Sequence, residues 1–453
     1  MTQALESWVR EAFAHPRYKL AISHRQLQTA VGNISFLSAI QTNLRAASLV
    51  ALVSLALSIG LGIASGSTPI AGLRTAIWGG IACGFFGSSP FNIIGPAGAL
   101  SGMLSTYSSK WGDGILPWIS VISGGFCLIF VKLGLTRYCL FMPKSVFEGF
   151  TLSVALTIGL KQINYAFGLS GLKPHVEFLD NLWESLSHLN QAQSGSMVLF
   201  FPLTGLLLVL MRKFPKVPWM VFLPLLTIFF GYFFRGQDSG WNLPTLQTKF
   251  GELPNTIALL PDTKFLKQLS ASDIGGVILA GLTVAFVSVL ETLISAKIAE
   301  NKTTTESKRN DLGRFDDTVE IYALTLGQLL SGLCSGLPCT GVFVRTNLNQ
   351  ANEANHTLSQ LMNAIFVLVV TAVAMPIFSY AAPPLPPSLP DLTHTAPAAL
   401  TPTFCSYIPC ASIAALLVTA SIRMVPTHFL HHLWKVSRFQ VSAHVHEPAP
   451  AFG

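Results

Sequence analysis

Gly95-Pro96-Ala97-Gly98-Ala99 and Gly336-Leu337-Pro338-Cys339-Thr340-Gly341 are two short proline-glycine breaks, one in each half of an apolar chain. Each follows an apolar segment and precedes another that is too short to cross a bilayer unaided. Irregular backbone survives at membrane depth only where protein buries it or where it lines a wet cavity. A helix that restarts there aims unpaired N–H groups and the positive end of its dipole into that cavity, which suits an anion. Paired interruptions at corresponding places in two halves point to the binding site of an inverted-repeat carrier. The two breaks therefore predict an all-α membrane protein of inverted-repeat type that handles anions.

Composition agrees. Of 453 residues, 51% are apolar and only 11% are charged, against about a quarter charged in ordinary soluble domains. Apolar runs approaching the roughly 20 residues of a spanning helix lie at 45–65, 70–87, 115–135, 146–168, 196–211, 217–234, 274–297, 319–334, 358–380 and 405–423. The broken pieces 97–108 and 340–350 bring the expected total to about twelve. This gives a cytoplasmic segment 1–44, a transporter domain 45–423 and a cytoplasmic tail 424–453. Within the domain, the first repeat covers about 45–234 and an incomplete second repeat about 274–423. Residues 1–30 are charged and mixed and read as no signal peptide. The stretches 169–195 and 235–272 read as polar loops, and 381–403 as a proline-rich loop.

Lysine and arginine set the orientation. With the N-terminus in the cytoplasm, the inside collects Arg10, Arg17, Lys19 and Arg25, then Arg212, Lys213 and Lys216, then Lys308, Arg309 and Arg314. The inside also holds Arg45, Lys132, Arg137, Lys144, Lys302, Arg423, Lys435 and Arg438, and the outside holds Lys110, Lys173, Arg235, Lys249, Lys264 and Lys267, an asymmetry of about threefold, as the positive-inside rule expects. The net charge of +7 thus follows from topology. Clustered basic residues interleaved with aromatics on a soluble face are lacking, so nucleic acid is not an expected partner. The seven cysteines lie in or beside apolar segments with no CxxC pairing and read as small packing residues. His428, His431 and His432 have ligand-like spacing but sit at a membrane border, so neither metal nor cofactor is expected. No nucleophile-base set appears, and an enzyme is not expected.

Val50-Ala51-Leu52-Val53-Ser54 lines up with Val284-Ala285-Phe286-Val287-Ser288, and each stretch begins a long apolar span followed by a second span and a break. The two copies enter the membrane from opposite sides, which makes them inverted repeats.

Further residues carry a family resemblance. Ile63-Ala64-Ser65-Gly66-Ser67-Thr68-Pro69-Ile70-Ala71-Gly72-Leu73, Phe86-Gly87-Ser88-Ser89 and Asn92-Ile93-Ile94-Gly95-Pro96-Ala97 resemble, in order, motifs of the SulP anion transporters. Leu290-Glu291-Thr292-Leu293-Ile294-Ser295-Ala296, Glu320, Leu337-Pro338-Cys339-Thr340-Gly341 and Arg345-Thr346 are similar to motifs of that family's second half. The resemblance runs from about residue 43 to about 438. It implies seven-plus-seven inverted segments split into a core and a gate domain. The anion would lie between the facing N-termini of the third and tenth segments, at Ala97, Gly98 and Ala99 and at Thr340, Gly341, Val344 and Arg345. The first segment's contact positions fall on Ala56, Leu57 and Leu61, where the family's polar and aromatic residues are missing. Arg74 replaces a tyrosine of the pattern. After Arg438 the sequence departs from the family, with the expectation that the last two gate segments and the cytoplasmic STAS domain are absent from this chain.

Glu291 sits inside an apolar span, where a lone carboxylate costs several kcal/mol unless paired or neutral, and Ser295 follows one helical turn later on the same face. The resemblance implies that this pair couples transport to Na+ or H+. A structural ion pair between Glu291 and Arg345 is the alternative. Arg345 adds charge to the dipole field of the second break, or else snorkels to a border. Gly95 and Gly98 give close backbone approach to an ion, or else simply pack helices, as Gly80 and Gly84 do.

The reading these features support is a secondary transporter or exchanger of small inorganic anions, sulfate or bicarbonate, in a bacterial inner membrane. The alternatives are a passive anion channel, or a truncated remnant that needs the missing helices. Expected partners are the anion and the lipid bilayer, with a homodimer mate or a separate chain supplying C-terminal helices as further candidates.

Overall fold

The computed structural model of the protein describes residues 36–136, 144–169, 178–214, 271–306, 315–374 and 408–425, with a few further residues between them. The expectations for the N-terminal segment before residue 36, most of the span 217–234, the loop 381–403, and the tail with its histidines lie outside the described residues.

Helices α1 (Phe36–Ala64) and α2 (Pro69–Phe86) lead into a two-residue strand β1 (Ile94–Gly95), then α3 (Gly98–Trp111) and α4 (Leu116–Lys132). The middle of the chain supplies α5 (Lys144–Lys161), the single turn α6 (Ile163–Ala166), α7 (Phe178–Ser187) and α8 (Ser194–Lys213). The opening order then recurs as α9 (Ala271–Glu306), α10 (Asp317–Leu333), β2 (Thr340–Gly341), α11 (Phe343–Ala351) and α12 (Leu358–Val369). Helix α13 (Cys410–Met424) closes the described chain. Helix, helix, strand, half-helix, helix occurs twice, so the predicted all-α inverted-repeat fold is present.

Local chemistry explains the boundaries. Thr68 caps α2 by accepting from the Ala71 amide, and Pro69 opens the helix where no N–H partner is needed. Asp316 caps α10 by accepting from the Thr318 and Val319 amides. At 1.5 Å per residue, α3 and α11, with 14 and 9 residues, are about 21 and 14 Å long, well short of a hydrocarbon core of about 30 Å. Four helical stretches, Asn43–Ala64, Asp113–Lys132, Ser194–Lys213 and Asp273–Glu300, are long and apolar enough to cross a membrane. Val198, Phe201, Leu206 and Val209 leave one side of α8 apolar and exposed, as a lipid-facing surface of an integral membrane protein requires.

The two halves interleave. Helix α4 packs on α10 and α9, while α12 packs on α2 and α1, so the last helix of each half lies on the first two of the other. Gly80 and Gly84 bring α2 against α12 at Ala364 and Leu361, the helix-packing role expected of them. The remaining helices form a second group in which α13 packs on α8, α5 and α6. The groups meet where α5 touches α3 and α13 touches α1.

Two expectations are corrected. The 169–195 stretch is not all loop, because Phe178, Leu182 and Trp183 recur at helical spacing and α7 forms there. The span 146–168 is interrupted at Gln162, whose side-chain amide donates back to the Ile158 carbonyl at 3.2 Å.

Gly72 lies where α2 crosses α1. A Cβ there would collide with the Ser58 carbonyl, which is backbone and cannot swing aside. Gly72→Ala should lower the melting midpoint of detergent-purified protein, at about 1–3 kcal/mol for an overpacked contact. Gly125, where an added Cβ would meet nothing within 4 Å, should accept alanine with no loss. Equal midpoints for the two variants would disprove the close crossing.

Candidate functional site

Strands β1 and β2 pair antiparallel, Ile94 opposite Gly341 and Gly95 opposite Thr340. Because α3 begins at Gly98 and α11 at Phe343, the two half-helices start beside this short ladder and run away from it in opposite directions. Their caps are Ala97 and Val342, neither of which makes a side-chain cap hydrogen bond. Neither cap side chain therefore takes a first-turn amide of α3 or α11. Ala97 is 2% exposed and Val342 7%, so this is an uncapped pair of helix starts inside the protein.

Arg345 lies between them and is fully buried. Its Nη2 donates to Ser58 Oγ at 3.2 Å and to the Pro96 carbonyl at 3.5 Å, linking α11 to α1 and to the first break. Its Nε and Nη1 have no partner. Gly95 exists as glycine to admit this group, since a Cβ there would collide with Nη1. The ion pair considered for Glu291 and Arg345 does not form. Among the described residues the ion pairs are His188–Glu184 and Lys297–Glu300. A carboxylate on α9 and a guanidinium on α11 stay apart because the β1–β2 ladder and Thr340 stand between their helices.

Glu291 is 8% exposed, and its Oε2 has no hydrogen-bond partner. Thr340 Oγ1 also meets Thr292 Oγ1 at 3.0 Å and the Ser288 carbonyl at 3.1 Å. The Gly341 amide donates to Thr292 Oγ1 at 2.9 Å. Thr340 and Gly341 thus turn their polar groups toward α9, whereas Ala97, Gly98, Ala99, Val344 and Arg345 surround the gap between the half-helices. Ser295 Oγ donates to Asn92 Oδ1 at 2.6 Å, so Ser295 is tied to the first break. Ala56, Leu57 and Leu61 pack on α1 among Val154, Ile158, Ile413 and Leu417 of the second helix group. That apolar layer reaches the half-helix itself, where a Cβ on Gly98 would collide with Ile158 Cδ1.

Several buried side chains absent from the expected set hold the breaks in shape. Gln360 accepts from the Ile94 amide at 3.0 Å and donates to the Gly80 carbonyl at 3.1 Å. Gln328 accepts from the Cys339 amide at 3.1 Å and donates to its carbonyl at 2.8 Å. Asn92 donates to Glu320 Oε1 at 2.8 Å and accepts from Thr346 Oγ1 at 3.1 Å. Glu320 Oε2 accepts from the Ser88 and Ser89 amides at 2.7 and 2.9 Å, fixing the turn that feeds β1. The signal for them in the sequence is the same in each case, an amide or carboxylate in an otherwise apolar run. The five described cysteines are free, four of them buried, in keeping with a packing role.

A profile of the sulfate permease family matches residues 40–383. The bicarbonate transporter BicA of Picosynechococcus sp. (strain ATCC 27264 / PCC 7002 / PR-6) is 25% identical over 335 residues, 71% of this chain and 55% of that protein. YvdB of Bacillus subtilis (strain 168), which carries a provisional sulfate-transporter description, is 28% identical over 346 residues, 75% of this chain and 61% of that protein. The chain therefore spans 55–61% of the length of these relatives. Among solved structures, the transmembrane domain of a cyanobacterial BicA superposes with a TM-score of 0.66 at 18% identity, covering 87% of this chain and 90% of that one. SLC26A9 superposes with a TM-score of 0.68 at 11% identity, covering 91% of this chain and 62% of that one. At such identities the two structures speak for the fold alone.

Glu320→Ala would leave the buried Ser88 and Ser89 amides without an acceptor, at about 1–3 kcal/mol each. Glu320→Gln keeps one acceptor oxygen but turns an NH2 toward Asn92. Thermal midpoints should therefore fall in the order wild type, Gln, Ala, and indistinguishable Gln and Ala midpoints would contradict the role given to Oε2.

Proposed function

The chain belongs to the sulfate permease family, and from that premise we propose that it is a secondary transporter or exchanger of small inorganic anions, sulfate or bicarbonate, working by alternating access. The observation that carries the reading is Arg345, a fully buried guanidinium with no carboxylate partner and two unpartnered nitrogens, set between two uncapped helix starts. A buried cation is costly unless something neutralises it. An anion in this gap would take the unpartnered Nε and Nη1 of Arg345, with the dipoles of α3 and α11 both favouring it. Ala97, Gly98, Ala99, Val344 and Arg345 would line its place, and Thr340 and Gly341 would hold the second half-helix in register against α9.

Release requires a path. Ile158 and Val154 on α5 close on Gly98 at the start of α3, and Ile413 and Leu417 on α13 pack on α1 at Gly60. Sliding α3 past α5 exchanges dispersion contacts, which re-form at the next position, and breaks the two 3.4 Å hydrogen bonds from Lys161 to the Ser101 and Gly102 carbonyls. That supports an elevator-like displacement of the interleaved helices relative to α5, α8 and α13. Glu291 is suited to taking up the coupling ion, Na+ or H+, because its Oε2 lacks a partner and hydroxyls of Thr340 and Thr292 stand nearby. Binding of a cation beside β2 would be felt by α11 through the Thr292–Gly341 hydrogen bond. The coupling ion is cargo in this reading, and no cofactor takes part.

The test is uptake of radiolabelled sulfate and bicarbonate by reconstituted protein under imposed Na+ and proton gradients. Folded protein that moves neither anion would end the proposal. Arg345→Ala should weaken anion binding by about 10- to 150-fold, the loss of a buried hydrogen bond to a charged group at about 1.5–3 kcal/mol. Gly98→Leu should abolish binding, since even a Cβ meets Ile158. Glu291→Gln should keep anion binding but lose the dependence on whichever gradient drives the wild type. Unchanged gradient dependence in that variant would make Glu291 a structural residue.

A further inference from the structure

A second polar space lies apart from the half-helix gap, between the two helix groups. It encloses about 180 Å³ where the far end of α1 and the outer half of α3 face α5, α6 and α7. Lys161 projects into it from the last position of α5. Around it stand Ser105, Thr106 and Ser109 of α3 with Gln162 and Asn164 of the α5–α6 junction, and no carboxylate is among the lining residues.

Lys161 is an unusual residue to find there. Its Nζ reaches only the Ser101 and Gly102 carbonyls of α3, both at 3.4 Å, and those carbonyls already lie inside a helix. Among the described residues it forms no ion pair. An ionisable side chain within a membrane bundle ordinarily pairs or serves a pathway, and the protein supplies no anionic partner here. The Oδ1 of Asn164, in the same lining, is buried without a hydrogen bond, so its amide is also free to turn toward a ligand. A cation, donor hydroxyls and amides, and the absence of any carboxylate make a cavity selective for negative charge. The volume exceeds what one water needs many times over, enough for a small anion with part of its hydration.

We infer that this cavity is a second anion site, distinct from the half-helix gap, in which Lys161 holds a small inorganic anion between the two helix groups. Its position on α3 gives the site a place in the transport cycle. The anion bridges Lys161 on one group and the Ser105, Thr106 and Ser109 face on the other, so it is held only while the groups keep this alignment. It thereby serves as a waiting point for the ion that enters the gap next, a role that rests on the carrier reading, whereas the occupancy of the cavity does not.

The cavity is tested with a reporter thiol. Ser105→Cys places a nearly isosteric thiol in the lining, and the unsubstituted protein, whose described cysteines are mostly buried, gives the background. Rates are measured with a sulfonate-bearing and a trimethylammonium-bearing methanethiosulfonate, each normalised to its rate with a free thiol. The anionic reagent should react about tenfold faster, the size of enhancement a charged cleft gives. Lys161→Gln should remove that preference, and Lys161→Arg should keep it. Sulfate, bicarbonate or chloride at tens of millimolar should slow the reaction severalfold with lysine present and leave it unchanged with glutamine. Ser109→Cys, at the exposed end of the same face, gives the same readout if the first variant fails to fold.

A preference unaffected by Lys161→Gln, or protection by none of the three anions, overturns the inference. The same measurement in an Arg345→Ala background separates the sites. Protection that persists there supports a distinct cavity, and protection that vanishes means the cavity is only the mouth of the gap, which overturns it. Protection without flux would remove the carrier reading alone, and flux without protection would remove the cavity alone.

Discussion

Backbone interrupted inside a membrane must find hydrogen-bond partners within the protein, because lipid offers none. Here the first break is satisfied largely by groups from the second half, while the second break takes the β1–β2 ladder and Thr75 from the first half and the rest from its own helices α9 and α10. The Ile93 carbonyl accepts from the Val342 amide at 2.9 Å, and the Ile93 amide donates to Thr346 Oγ1 at 3.1 Å. The Leu337 amide donates to Thr75 Oγ1 at 2.6 Å and Gln360 serves Ile94, whereas Cys339 is served from its own half by Gln328. Neither half could bury its own break alone. The interleaving of α4 with α9 and α10, and of α12 with α1 and α2, follows from that dependence.

The same constraint creates the site. Strands consume the polar groups up to Gly95 and Gly341, but helices need one more set of acceptors at their first turns. Alanine and valine as caps supply none. Arg345 adds a positive charge to a place that two dipoles already make positive, an arrangement that a protein without a negative ligand would have no physical reason to hold together. Glu291, the carboxylate that could have neutralised the arginine, belongs instead to α9, against which β2 is held by the Thr340–Thr292 and Gly341–Thr292 hydrogen bonds.

Around this polar interior the contact with α5 and α13 is apolar. Ile158 closes on Gly98 without any bond that fixes its position, and Lys161, one turn further along α5, meets α3 through two long hydrogen bonds. The interface is therefore tightly packed near the gap and polar and open beyond it. Contacts of these two kinds resist motion differently, since dispersion contacts are exchanged gradually whereas a held ion binds the two groups at one alignment only.

Much of this was legible in the chain. Gly95-Pro96 and Leu337-Pro338 located both interruptions, because proline cannot donate and glycine tolerates close approach wherever it occurs. Apolar run lengths located most helices, and the order of motifs gave the repeat and its family. Arg345 and Glu291 were marked by charge alone in greasy surroundings. Other features depend on three-dimensional proximity across more than two hundred positions of sequence, and no local pattern encodes it. The cost of a lone carboxylate in an apolar span made an ion pair of Glu291 and Arg345 a fair alternative, yet the two side chains do not pair. Gly95 was legible as a close approach but not as room for the Arg345 guanidinium. The helix at 178–187 was hidden by its polar neighbours, and Lys161 drew no notice because its cavity is built from four separate segments of the chain. The sequence alone determined where the backbone must break and which charges enter the membrane. Tertiary structure decided which broken ends face each other and which charges stay unpaired, because hydrogen-bond satisfaction and burial are settled between segments and not within them.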